Sequence, residues 1–161
     1  MSNQPRIRAA TPDDAEAIHA MIVGLAEYER EPDKVKGTPE QLRASLFGSA
    51  AVAEAVIAEI DGEAAGFALF YKTFSTWECA AGLWLEDLYV WDRYRKDGVG
   101  SALLRHLAGI TVARGYPRLE WVALDWNTPA LNFYAKHGAD LMDEWKVLRL
   151  TGDTLQALAA P

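Results

Sequence analysis

The chain reads as a mixed α/β domain, a central sheet with antiparallel and parallel neighbours flanked by helices, and three observations predict it. Asp61-Gly62, the strongest short hairpin signal, separates two β-rich runs. A strand, helix, strand order fills Gly82 to Trp126, the pattern of a crossover joining parallel neighbours. Two helix-start signatures, "TPDD" and "TPEQ", each precede or contain apolar positions at helical spacing.

In chain order, "RIRAA" alternates as a short strand, and Thr11-Pro12 then opens a helix whose Ile18, Met21, Ile22 and Leu25 share one face. Thr38 with Gln41 forms a second start, a capping box, and Gly48 a stop. "AVIAEI" and "GFALFYKTF" pair antiparallel about Asp61-Gly62. "GLWLEDLYVW", Gly82 to Trp91, and "RLEWVALDW", Arg118 to Trp126, carry the aromatic and branched residues of strands. Between them a glycine-led helix places Val99, Leu103, Leu107 and Ile110 on one face and ends near Gly115. A capped helix starts at Asn127 to Pro129 and ends at Gly138, "WKVLRL" is expected as a closing strand, and "TGDTLQALAAP" as a short terminal helix. With no repeat or linker, residues 1–161 are expected to form a single domain.

Half of the 161 residues are apolar, enough for a sizeable core. The single cysteine, Cys79, cannot close an internal disulfide, and no apolar run is long enough to span a bilayer. The N-terminal segment lacks the apolar core of a leader, so a cytoplasmic location and no membrane partner are expected. A formal charge of −7 argues against nucleic acid and suits a cationic small molecule. His19, His106 and His137 fall on separate helices without metal-ligand spacing, so no metal is expected.

"YRKDGVGSALLRHLA" places Gly98 and Gly100 at the mouth of an amphipathic helix, where each glycine costs roughly 1 kcal/mol against alanine. A helix N-terminus offers unpaired N–H groups and partial positive charge, so the missing side chains suit close approach by a phosphate. A P-loop is excluded by its missing Gly-Lys-Ser/Thr, and a dinucleotide fingerprint by Leu103 where a third glycine belongs. What remains is Arg-x-x-Gly-x-Gly, formed by Arg95, Gly98 and Gly100.

That pattern, preceded by "LEDLYV" and followed by "LDWNTPALNFYAKHGA", resembles the GNAT superfamily of acyl-CoA N-acyltransferases, whose motif here cradles the pyrophosphate of acetyl-coenzyme A. Within it the chain is most similar to the diamine group, the spermidine/spermine and thialysine acetyltransferases. The likeness spans nearly the entire chain, through "LAEYE", "FSTWE", "LEDLYV", "LDWN" and "NFYAKHGA" in order. "FSTW" and "LDWN" are closer to the thialysine branch, since polyamine enzymes tend to carry aspartate where Ser75 stands.

The resemblance implies an acetyl-CoA-dependent enzyme that moves acetyl directly to the primary amine of a small cation, thialysine-like, lysine-like or a polyamine. The alternatives are a protein or peptide N-acetyltransferase and a non-catalytic acyl-CoA or polyamine sensor. It implies a homodimer, and it implies roles for residues. Leu88, Tyr89 and Val90 would bond the pantetheine arm as a substitute strand. Arg95, Lys96, Asp97, Gly98, Val99, Gly100 and Ser101 would cover the pyrophosphate, with Arg93 nearby, and Asn127, Thr128, Pro129 and Ala130 would hold the cofactor from the other side. Tyr28, Glu29, Trp77, Glu120, Trp121, Val122 and Glu144 are its candidates for the amine pocket, with Asp143 an alternative to Glu144 because the family's segment there is longer.

A lysine-like ammonium is only about 1 part in 2,500 neutral at pH 7, a deficit of roughly 4.6 kcal/mol, so a proton acceptor is required. Glu86 and Asp87 are adjacent on a strand, and simple alternation sends them to opposite faces. The resemblance puts Glu86 on the substrate side, where it would act through water. Tyr134 reads from its helix alone as a core aromatic like Phe133, and by the resemblance as general acid, a phenol already protonated at pH 7.

Overall fold

The computed structural model describes residues 4–161, and Met1 to Asn3, the start of the segment read above as lacking a leader core, lie outside it. The chain divides into two compact units, residues 1–122 and 123–161.

The first unit is built on a five-stranded sheet in chain order, β1 (Arg6–Ala9), β2 (Glu54–Ile60), β3 (Glu63–Ser75), β4 (Ala80–Val90) and β5 (Leu119–Glu120). β1 to β4 are antiparallel neighbours and β4 with β5 is parallel, so the sheet is mixed as expected. Asp61 and Gly62 both take positive φ, 51° and 81°, which is the twist-matched two-residue turn that the Asp-Gly pair predicts. α1 (Ala15–Tyr28) follows a 3-10 turn at Pro12–Asp14, and α2 (Pro39–Phe47) carries the capping box in full: Gln41 N–H donates to Thr38 Oγ1, and Thr38 N–H to Gln41 Oε1.

Helices cover both faces. Ile18 and Met21 of α1 pack with Ile57, Phe67, Leu69 and Tyr89, and Ile22 and Leu25 flank that cluster. Gly66, next to Phe67 and therefore on the other face, approaches Val99 of α3 (Val99–Ala113), whose Leu103 and Leu107 are fully buried. α3 carries the chain from β4 to parallel β5, the crossover read from the sequence.

Two expectations fail here. The strand expected over Arg118 to Trp126 is only Leu119–Glu120, and residues 145–150 form no strand. β-rich composition reports fitness for a half-buried pleat, and a ladder also needs a partner. β5 pairs with β4 only at Leu83↔Leu119 and Trp84↔Glu120, while Val147 and Leu148 are 71% and 91% exposed. The second unit contains α4 (Thr128–Lys136), capped by Asn127, and the expected terminal helix α5 (Gly152–Ala159).

An ion-pair cluster ties β1 to β2 and to the entrance of α1. Arg8 donates to both carboxylate oxygens of Asp14, at 2.7 and 2.8 Å, and to Glu59 at 2.7 Å. The guanidinium holds the Asp14 carboxyl down at about 2. Because pairing depresses the folded pKa, this stabilisation is complete above the unfolded value near 4 and is lost as pH falls through about 2. Asp14→Asn should lower stability at pH 7 by roughly 2 kcal/mol, and its deficit against wild type should shrink between pH 4 and pH 2 in urea unfolding. A deficit independent of pH would assign the loss to packing.

Candidate active site

The site residues of the first unit converge on an irregularity in β4. The register runs Leu69↔Asp87 and then Phe70↔Leu85, so Glu86 is an extra residue opposite the β3 ladder, a β-bulge. Leu69 and Tyr71 lie two apart on β3 and share a face, so their partners Asp87 and Trp84 share it as well. The Glu86 carboxylate sits on that same side, accepting from Trp84 Nε1 at 3.0 Å and from the Tyr71 hydroxyl at 3.3 Å. Simple alternation between Glu86 and Asp87 is therefore broken, and the two carboxylates act on each other.

Asp87 records the consequence. Burial pushes its carboxyl up to about 6, and the charges of Glu86 and Glu29 add to the effect. Glu29, just after α1, is raised by burial, and the Tyr71 phenol by burial and then by the Glu86 charge. Glu120 stands beside Trp84 in the β4–β5 register, extending the row Tyr71, Trp84, Glu120 across the sheet. A buried aspartate within the field of two further carboxylates, with an indole and a phenol beside Glu86, suits an alkylammonium. Sequence reading missed Asp87, Tyr71 and Trp84. The bulge that recruits them leaves no residue signature, though adjacent acids in an otherwise apolar strand mark its place.

Next to this group lies the glycine turn. Gly98 caps α3 with φ 77°, so it is required for a left-handed backbone, and the space that a Cβ would fill there is open. No side chain caps α3 and its first turn has no acid, whereas Thr38 caps α2. An open, uncapped N-terminus with backbone N–H donors at Val99, Gly100 and Ser101 fits the diphosphate of an acyl-CoA. The β4–β5 ladder stops at Trp84↔Glu120, so β5 does not pair with Leu88, Tyr89 and Val90, which fits an arm lying there as a further strand.

The cations near the turn make contacts within the protein. Arg93 pairs with Glu63 at 3.2 Å and lies over the Tyr94 ring, while Arg95 bonds Val90 O and Asp92. Lys96 takes φ 82° within the turn, where Asp97 N–H donates to Tyr94 O.

Other expected residues lie apart or in the second unit. Trp77 is at the β3–β4 hairpin tip, 81% exposed, and β4 runs about 20 Å from Ala80 to Glu86 at roughly 3.4 Å per residue. Trp121 and Val122 follow β5 directly, half-buried and exposed. In the second unit, Asn127 is buried and its Oδ1 accepts from Ala130 N–H, Thr128 and Pro129 are exposed, and Tyr134 sits edge-on to Phe133 at 5.2 Å. Asp143 and Glu144 form an exposed turn. Among the described residues no group of three or more His, Cys, Asp or Glu could hold a metal, and no helix is long and apolar enough to cross a membrane.

Asp87 bears a testable cost. With its folded pKa raised, the native state holds the proton more tightly than the unfolded chain, so stability falls as pH rises from about 4 through about 6. Asp87→Asn should raise the melting temperature at pH 7 and match wild type below pH 4. A loss of stability at pH 7 would show that the ionised carboxylate is well compensated.

The profile described as "Acetyltransferase (GNAT) family" matches residues 18–139. A thialysine N-epsilon-acetyltransferase from Bos taurus is 35% identical over 164 residues, covering 95% of this chain and 96% of that protein. An L-ornithine N5-acetyltransferase from Arabidopsis thaliana is 30% identical over 95% of this chain and 87% of that protein. Among solved structures, an integron cassette protein from the V. cholerae mobile metagenome superposes with a TM-score of 0.82 at 25% identity, over 98% of this chain and 99% of that one. With a sheet, crossover helix and uncapped glycine turn of the matching kind, the chain belongs to the GNAT acetyltransferase family.

Proposed function

We propose that the chain transfers acetyl from acetyl-CoA to the primary amine of a small cation of the thialysine, lysine or ornithine type, with a polyamine as the neighbouring class. The observation that carries this is the bulge at Glu86, which gathers Glu86, Asp87 and Glu29 beside Tyr71 and Trp84, next to an open uncapped helix N-terminus. Relatives with near full-length coverage act, by their names, on thialysine and ornithine. The family match, running from 18 to 139, supports treating residues 1–161 as one acetyltransferase domain.

Acetyl-CoA supplies the thioester. Backbone groups of Leu88 to Val90 and of Lys96 to Ser101 hold its arm and pyrophosphate, and the resemblance assigns Asn127, Thr128, Pro129 and Ala130 to the cofactor as well. A carboxylate about 4 Å from the ammonium attracts it by about 4 kcal/mol at an effective dielectric near 20, and it also raises the amine pKa, so binding alone does not produce the nucleophile. Glu86 draws the proton off through water. The nitrogen then forms the C–N bond as the C–S bond breaks, Tyr134 gives its phenolic proton to the departing thiolate, and the second proton that the nitrogen loses on becoming an amide returns the phenolate to phenol through solvent. Tyr28, Trp77, Glu120, Trp121, Val122 and Glu144 are assigned to amine recognition. A homodimer, as the resemblance implies, and a cytoplasmic location, which a single unpaired cysteine suits, complete the proposal.

The test is coenzyme A thiol release with thialysine, lysine, ornithine, putrescine, spermidine and a short peptide. Release with a free amine should fall roughly 100-fold or more in Tyr134→Phe while acetyl-CoA affinity stays nearly constant. In Glu86→Gln the pH profile of turnover should shift, and an unchanged profile removes its relay role. Release with the peptide alone would move the acceptor to proteins, and tight acetyl-CoA binding without release would indicate a sensor. A monomeric mass by light scattering at micromolar concentration would remove the dimer.

A further inference from the structure

Arg95 heads the pyrophosphate motif, and its side chain is held by groups from more than one element of the first unit. Its guanidinium lies over the Tyr28 ring, 4.8 Å from the centroid, and 5.7 Å from that of Tyr89. Nε donates to Val90 O at 3.2 Å, and a terminal nitrogen pairs with Asp92 at 3.0 Å. One side chain thus joins the last residue of α1, the end of β4 and the entrance to the glycine turn. A second observation shows that α1 is seated closely there. Gly24, inside α1 where glycine costs roughly 1 kcal/mol, lies so near β4 that a Cβ would come within 2.9 Å of both the Trp91 ring and the Tyr89 hydroxyl. Tyr89 and Trp91 meet edge to face at 5.3 Å, and Tyr28 is one helical turn beyond Gly24 on the same side of α1.

We infer that Arg95 is a positioning residue for the amine pocket, holding Tyr28 and the neighbouring Glu29 in place from the pyrophosphate turn, so that occupation of the turn and binding of the amine are coupled. The inference rests on the acetyltransferase reading above. An arginine does this where a lysine cannot, because a planar guanidinium can stack on one ring while its edge donates to a carbonyl and a carboxylate. Coupling requires that binding at one site change the free energy of the other, and a shared side chain with partners on both elements supplies the physical connection.

The experiment compares wild type with Arg95→Lys, Tyr28→Leu and the double variant. Arg95→Lys should raise the KM for the amine about threefold to fivefold, the range of a partly exposed cation–aromatic contact, with a smaller change in acetyl-CoA affinity. Tyr28→Leu should raise it similarly, and the double variant should be no worse than the poorer single one. A large loss of acetyl-CoA affinity in Arg95→Lys with unchanged amine KM would overturn the inference and return Arg95 to the phosphate. Additive losses would overturn it equally. A readout free of turnover separates it from the enzymatic reading: coenzyme A alone should shift the Tyr28 ring resonances in wild type and not in Arg95→Lys. That shift without thiol release from any amine would sustain the link and reject the reaction. Its absence in wild type would reject the link.

Discussion

The candidate site depends on one extra residue in one strand. Without the bulge at Glu86, β4 would alternate regularly, Glu86 would leave the face it shares with Tyr71 and Trp84, and the two acids would point apart. The same irregularity falls where β5 ceases to follow β4, the last pair being Trp84↔Glu120. A bulge bends and twists its strand, so a neighbour in register before it diverges after it. The gathered acids and the unshared backbone groups thus have a common origin, both on the strand that leads into the turn at Gly98.

That arrangement has an energetic cost, and its size can be read from Asp87. A carboxyl held near 6 by burial and by neighbouring charge opposes folding at neutral pH, in contrast to Asp14, where a guanidinium reverses the sign. The rest of the first unit offsets the cost with apolar packing on both sheet faces, Ile18, Met21 and Phe67 on one and Val99, Leu103 and Leu107 on the other. Acidic strain is thus placed at one edge of a well-packed sheet, which permits a charged site without loosening its surroundings.

Local chemistry was legible in the sequence and non-local geometry was not. Thr38 with Gln41, Asp61-Gly62 and Gly98 each specify backbone through contacts within a few residues, and each stands as read. Residues 121–126 and 145–150 have strand composition but no ladder partner, and partnership is fixed by distant chain. Glu86 could be named from its motif, whereas its alliance with Asp87 needed the register against β3. Arg95 could be assigned to phosphate by its place in a motif, whereas its stacking on Tyr28 depends on where α1 lies. Gly98 was legible as an exception, and its φ of 77° adds a left-handed backbone to the reasons for glycine there.

The proton chemistry follows from the same cluster. A lone solvated carboxylate near pKa 4 is a poor match for an alkylammonium near 10, and adding further anions worsens the match by raising the amine. Burial acts the other way on Asp87, beside Glu86: at about 6 its carboxyl lies closer to the amine than an ordinary aspartate does. When an ammonium enters, its charge opposes the shift that Glu86 and Glu29 impose on Asp87, drawing Asp87 towards ionisation. On the proposed reading, amine binding and Asp87 deprotonation are therefore linked, so affinity for the cation strengthens as pH rises through about 6. The strand irregularity that gathers the acids thus moves the pH at which Asp87 becomes ready to accept a cation up to about 6, where an aspartate alone in water is already ionised.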